Sequence, residues 1–96
     1  MRIISGTHRG RRINPPNNLT VRPTTDKAKE ALFNIIENRY FFDGKKVLDL
    51  FSGTGNIALE FASRGVSQVT AVDSNKKCIA FIKDTAQQFH LKISCI

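Results

Sequence analysis

Apolar residues change their spacing several times along the chain, and each change marks an element. Residues 2–5 (RIIS) and 11–13 (RRI) are short β-like runs, and Gly6 and Gly10 bracket a turn carrying Thr7, His8 and Arg9. This pattern predicts a hairpin. Residues 14–20 (NPPNNLT) continue neither run, because Pro15 and Pro16 lack amide donors and the asparagines favour turns, so a linker is expected. Thr24 or Thr25 can cap a helix that opens on Asp26, and Ala28, Ala31, Leu32, Ile35 and Ile36 then share one helical face. The spacing predicts a helix over about residues 25–38. Tyr40, Phe41 and Phe42 follow as an apolar hinge expected in the core, since no basic residues interleave them as they would in a base-stacking surface.

From Lys46 to Phe51 the apolar run is nearly continuous, which predicts a strand buried between helix layers. Gly53 and Gly55 interrupt it. A short helix is expected over residues 56–63, stopped at Arg64-Gly65, and a second strand over 68–72 that ends at Asp73. Residues 75–89 carry Ile79, Ala80, Ile82 and Ala86 at helical spacing, and 92–96 open a third strand. The order β-α-β-α-β predicts an α/β fold on a parallel sheet with right-handed crossovers.

Composition narrows the class. Ninety-six residues make one domain at most, with no apolar run long enough to span a bilayer and no segment of signal-peptide length, so a cytoplasmic protein without membrane partners is expected. Cys78 and Cys95 lack metal-ligand spacing and are expected to be reduced structural thiols, with no metal. Charge is more telling. The formal net charge is +7, and residues 1–22 hold Arg2, Arg9, Arg11, Arg12 and Arg22 with no acid. Arginine at this density suits phosphate, because its planar fork reaches two oxygens and releases counterions. A solvated basic face is the plain alternative.

The remaining chemistry lies where the strands end, the position at which open parallel sheets bind ligands. Gly53 and Gly55 give backbone access, and Asp73 is placed to accept from both hydroxyls of a ribose; a helix cap for residues 75 onward is its plainer role. Residues 53–58 (GTGNIA) satisfy the dinucleotide fingerprint, and Asp73 lies 20 residues beyond Gly53, as a nicotinamide site requires. Asp49, four residues before Gly53, argues otherwise, since a carboxylate there repels a pyrophosphate and suits an amino-bearing ligand. S-adenosylmethionine carries a sulfonium, an amino group and a ribose but no phosphate, and the sequence favours it.

The run DLFSGTGNIALEFASRG at 49–65, followed by VTAVD at 69–73, resembles the motifs of Rossmann-like S-adenosylmethionine-dependent methyltransferases. RIISGTHRGRRI at 2–13 and RPTTDKAKEALFNII at 22–36 are similar, more narrowly, to the RsmD family, whose members methylate a guanine N2 in bacterial small-subunit ribosomal RNA. The resemblance implies a partial Rossmann-like fold preceded by a basic hairpin and a helix, with residues 1–22 an extension and 23–96 the first part of the methyltransferase domain. It implies that Gly53 and Gly55 cradle the methionine end of the cofactor, with Phe51 beside them. Asp49 takes its amino group, Thr24 its carboxylate, Asp73 its ribose, and Ser74 flanks the adenosine. The hairpin arginines and Arg22 would meet ribosomal RNA. Lys27-Ala28 stands where Arg-Val is expected of the family.

One family element is missing from these residues, the (N/D)-P-P-(Y/F) tetrapeptide that binds the target amine. The only Pro-Pro is Pro15-Pro16, followed by Asn17 rather than an aromatic. The chain therefore resembles the N-terminal half of a methyltransferase, which on its own is expected to be inactive. The strand at 46–51, central in such a sheet, is expected to become an edge open to pairing with another copy. Two other readings stand beside this one: part of an NAD-dependent oxidoreductase, and a noncatalytic RNA-binding module.

Overall fold

The computed structural model describes residues 1–16, 19 and 24–96. Its elements are α1 (Asp26–Arg39), β1 (Lys46–Asp49), α2 (Asn56–Ser63), β2 (Gln68–Ala71), α3 (Lys76–Gln88) and β3 (Ile93–Cys95). The strands form a parallel sheet in the order β1-β2-β3, with Val47 opposite Val69 and Val69 opposite Ile93. This is an α/β fold of the Rossmann-like kind. Ala58 of α2 and Ile82 of α3 pack in one cluster with Val69 and Ala71, and Val47, Ile93 and Cys95 border it. Both crossover helices therefore cover the same face of the sheet.

The opposite face explains a first correction. The apolar run at 46–51 reads as a strand buried on both sides, yet β1 stops at Asp49, and Leu48, Leu50 and Phe51 are 61%, 55% and 91% exposed. Pleating turns Leu48 away from the helices, and no described element covers that side. The hinge aromatics divide likewise. Phe42 meets Phe33 and Phe61 at 6.3 and 5.5 Å, whereas Tyr40 and Phe41 are exposed rather than core.

Helix α1 forms as its sequence predicts, with the Thr25 hydroxyl accepting from the Ala28 amide at 3.2 Å. It buries an unexpected face. Lys29 and Phe33 are the buried residues, while Ala28, Ala31, Leu32 and Ile35 face outward. Two contacts overrule the apolar stripe. Phe33 packs edge-on against Phe61 of α2 at 4.6 Å, and the Lys29 ammonium, fully buried, lies 3.0 Å from the Glu60 carboxylate and 2.7 Å from Asn56 Oδ1.

Glu60 gathers the N-terminal segment onto α2. Its carboxylate accepts from the amides of Ile4 and Ser5 at 2.9 and 3.0 Å and from Arg64 Nε at 2.7 Å. The two strand-like runs meet at a single antiparallel bridge, Arg2 opposite Arg12, shorter than the hairpin that alternation predicts. Ile3 and Ile13 are buried with Leu59, Ala86 and Phe89, so this hairpin rides on α2 and α3 with its arginines outward. Gly6 approaches α2 so closely that a Cβ there would stand 2.0 Å from the Ser63 carbonyl oxygen. Residues 17, 18 and 20 of the linker, and the boundary drawn at residues 22 and 23, lie outside the described residues.

Burial pushes the Glu60 carboxyl up, but the Ile4 amide, Arg64 and Lys29 outweigh it and hold the group below its ordinary value. Stability from this group is therefore complete above the ordinary carboxyl range and is lost as pH falls through the lowered folded value. Glu60→Ala, which strands Lys29 in the interior, is expected to cost about 3–5 kcal/mol in urea unfolding. Glu60→Gln should lose less and flatten the acid limb of the stability profile; an unchanged acid limb would remove Glu60 from its cause.

Candidate cofactor-binding site

A loop, residues 50–55, leads from the carboxyl end of β1 to α2 and is stitched to the end of β2 by backbone bonds. Val72 N–H donates to the Asp49 carbonyl at 2.8 Å, Ser52 N–H to the Val72 carbonyl at 3.0 Å, and Gly55 N–H to the Ser52 carbonyl at 2.8 Å. The buried Ser52 hydroxyl adds a lock, donating to the Asp49 carbonyl at 2.9 Å and accepting from Val72 N–H at 3.1 Å.

Asp73 closes the loop from the other strand. Its Oδ2 accepts from the Gly53 amide at 2.9 Å and its Oδ1 from the Asn75 amide at 2.8 Å. A carboxylate offers about four acceptor positions, so each oxygen keeps capacity for a ligand hydroxyl. The helix cap is Asn75, whose side chain accepts from Lys77 and Cys78. Asp73 and Ser74 border an open groove of 460 Å³ whose other walls include Ile79, Ala80 and Ile96.

Asp49 is the exceptional group. Its Oδ2 is buried and has no hydrogen-bond partner among the described residues. Burial raises its pKa, the charge of Asp73 adds to the rise, and the Phe51 amide and Ser52 hydroxyl oppose it. An uncompensated buried carboxylate oxygen costs free energy unless a donor meets it. A ligand amine at the loop would be such a donor.

The two glycines do different work. Gly53 (φ +55°) carries the amide that Asp73 holds, whereas at Gly55 (φ +84°) a Cβ would stand 2.8 Å from Ile82 Cγ1. The open side of Gly55 is thus filled by α3. Thr24 is brought to the start of α2 by its carbonyl, which accepts from Asn56 Nδ2 at 2.9 Å; Phe51 projects from the loop almost wholly exposed. Among the arginines, Arg2 pairs with Asp26 at 3.4 Å and Arg11 lies over the Phe89 ring at 5.4 Å, while Arg9 and Arg12 are exposed. Arg22 lies outside the described residues. Sequence reasoning missed Ser52, Asn56, Lys29 and Glu60. Only Glu60 left a signal, as a charge inside the apolar run IALEFA.

Comparison with known proteins follows this geometry. Residues 1–95 match the family described as Conserved hypothetical protein 95. The chain is 39% identical over 83 residues to the ribosomal RNA small subunit methyltransferase D of Buchnera aphidicola subsp. Baizongia pistaciae, covering 86% of this chain and 42% of that protein. The chain belongs to the RsmD family. It is also 41% identical over 91 residues to Bacillus subtilis YlbH, a candidate rRNA methyltransferase by name, covering 95% of this chain and 48% of YlbH. A solved structure of a hypothetical protein from Thermus thermophilus superimposes over the whole chain and 54% of its own, with a TM-score of 0.87 at 28% identity. Escherichia coli yhhF, a candidate methyltransferase by name, does so over 100% of this chain and 51% of its own, with a TM-score of 0.85 at 25% identity. The chain thus spans about half the length of the RsmD-family relatives it matches.

In this family member, Gly55→Ala is expected to cost about 1–3 kcal/mol, from the left-handed backbone and the Ile82 contact together. A double-mutant cycle with Ile82→Ala should show the pair less destabilised than the sum of the singles. Strict additivity would mean that Ile82 does not confine the loop.

Proposed function

We propose that the loop at 50–55 with Asp49 and Asp73 is the S-adenosylmethionine half-site of an enzyme that methylates a guanine N2 in small-subunit ribosomal RNA. The observation that carries the reading is the buried, unpartnered Asp49 Oδ2 beside the glycine loop. It suits the cationic amino group of a methionine moiety and disfavours the pyrophosphate of a nicotinamide cofactor. Relatives named as rRNA methyltransferases support the same choice.

The residues fit the cofactor by kind. Asp49 receives the amine, Gly53 and Gly55 shape the turn, and Asp73 takes the ribose hydroxyls. Ser74 borders the adenosine groove, with Phe51 exposed beside the loop, and Thr24 stands near the α2 N-terminus on the carboxylate side. The cofactor supplies an electrophilic methyl group; these residues bind and orient it. Transfer also requires the acceptor nitrogen held in line, which contributes much of the acceleration. No (N/D)-P-P-(Y/F) run occurs in these 96 residues, so this chain alone is expected to position the donor and not the acceptor. Arg2, Arg9, Arg11, Arg12 and Arg22 would meet RNA phosphates, the work of a cytoplasmic rRNA-modifying protein.

Asp73→Ala is expected to weaken S-adenosylhomocysteine binding by about 1–3 kcal/mol in calorimetry. Because Asp49 must be ionised to meet an amine, affinity should rise as pH passes its raised pKa, and Asp49→Asn should remove that rise. Tighter binding of NAD than of S-adenosylhomocysteine would overturn the assignment.

The hairpin makes a separate prediction. Arg9, Arg11 and Arg12 changed together to Gln should weaken binding of a small-subunit rRNA stem-loop and make its salt dependence shallower by about two to three log units per log unit of salt. An unchanged slope would return them to a solvated basic face.

A further inference from the structure

Beyond the hairpin, a second groove lies where β2 and β3 begin against the end of α3, and of its lining only Lys83 also borders the groove beside Asp73 and Ser74. Its volume is 530 Å³, and Lys83 and Gln87 of α3, Gln68 of β2, and Leu91, Lys92 and Ser94 are among the residues that line it. Among the described residues, two lysines and no carboxylate line this groove. The neighbouring Asp84 belongs to a different depression, with Lys77 and Phe81.

The groove shares Ala86, Leu91 and Ile93 with the cluster on which the hairpin packs. His8 at the hairpin turn stacks on Phe89 with ring centroids 5.9 Å apart and bonds through Nε2 to the Phe89 carbonyl, and the Arg11 guanidinium lies over the same ring. Immediately after Phe89, His90 adopts φ +56°, and Leu91 N–H returns to the Ala86 carbonyl at 2.9 Å. That reversal sends Leu91 inward against the Ile3 and Ile13 cluster and leaves Lys92 exposed at the groove. Lys83 stands on the far wall, where its charge is felt by the Cys95 thiol. A basic track thus runs from Arg9 and Arg11, over Phe89, to Lys92 and Lys83.

We propose that this groove carries a single strand of RNA away from the hairpin, with Lys92 and Lys83 on successive phosphates and the glutamines and Ser94 supplying neutral hydrogen bonds. Charge complementarity and the cluster shared with the hairpin favour a polyanionic backbone over an extended peptide, which would use the strand's amides and need no lysine. The proposal rests on the reading of the hairpin as an RNA-binding element and extends its footprint.

The test is fluorescence anisotropy with this chain, using a small-subunit rRNA stem-loop with and without a twelve-nucleotide oligouridylate tail. The tail should tighten binding, and Lys83→Gln with Lys92→Gln should abolish that gain and make the salt slope for the tailed RNA shallower by about 1.4, the value for two single-strand phosphates. Gln87→Glu, which adds repulsion without removing a lysine, should also weaken the tailed RNA and leave the tail-less one unchanged. A tail that adds no affinity, or a lysine pair whose loss leaves the slope unchanged while the triple arginine variant lowers it, overturns the groove and keeps the hairpin. If neither set of substitutions moves the slope, the hairpin reading fails with it. Amide protection at Ile93 and Ser94 by a neutral peptide, with no effect of the tail, would assign the groove to strand addition instead.

Discussion

A lysine and a glutamate with no solvent access hold three segments of this chain in one place. Lys29 and Glu60 lie on helices 31 positions apart in sequence, and their ion pair would be a liability if either charge lacked further partners. Each has them. Lys29 reaches Asn56 and the Arg2 carbonyl, and Glu60 takes two hairpin amides and Arg64, which pairs in turn with Glu37 at 2.9 Å. The hairpin, α1 and α2 therefore share one set of bonds, and Asn56 carries that set to the end of the glycine loop. Removing Glu60 leaves the Lys29 ammonium buried without a countercharge.

The order of elements was legible because each is announced by local chemistry, such as Thr25 at a cap and Gly53 at a strand end, although the cap of α3 is Asn75 rather than Asp73. Side-chain destinations were less so. Periodicity found the apolar stripe of α1 but could not tell that Phe33 and Lys29, on the adjacent face, had partners in α2 while Ala31 and Ile35 face outward. The strand at Lys46–Phe51 reads as doubly buried, and only the packing of α2 and α3 shows which face is covered among the described residues. Burial depends on neighbours distant in sequence, and hydropathy reports only what a residue would prefer.

The candidate site follows the same division. Asp49, Gly53 and Asp73 stand out in the sequence because acids and a glycine fall together where two apolar strands end, the place at which parallel sheets bind ligands. Ser52 and Asn56 do not, since a hydroxyl and an amide are ordinary in loops and at helix starts. Their importance comes from which carbonyls they meet, the Asp49 carbonyl for one and the Thr24 carbonyl for the other. The free thiols show the converse: burial pushes the pKa of Cys78 and Cys95 up, which disfavours the reactive thiolate.

The bond from the Gly53 amide to Asp73 also bears on kinetics. One carboxylate holds the loop and, with its spare acceptor positions, faces the groove. A molecule that engaged Asp73 would meet a turn already held in place, so little ordering entropy would be lost on capture. Such preorganisation leaves encounter as the step that sets the association rate, and places discrimination between similar molecules in how slowly each one departs.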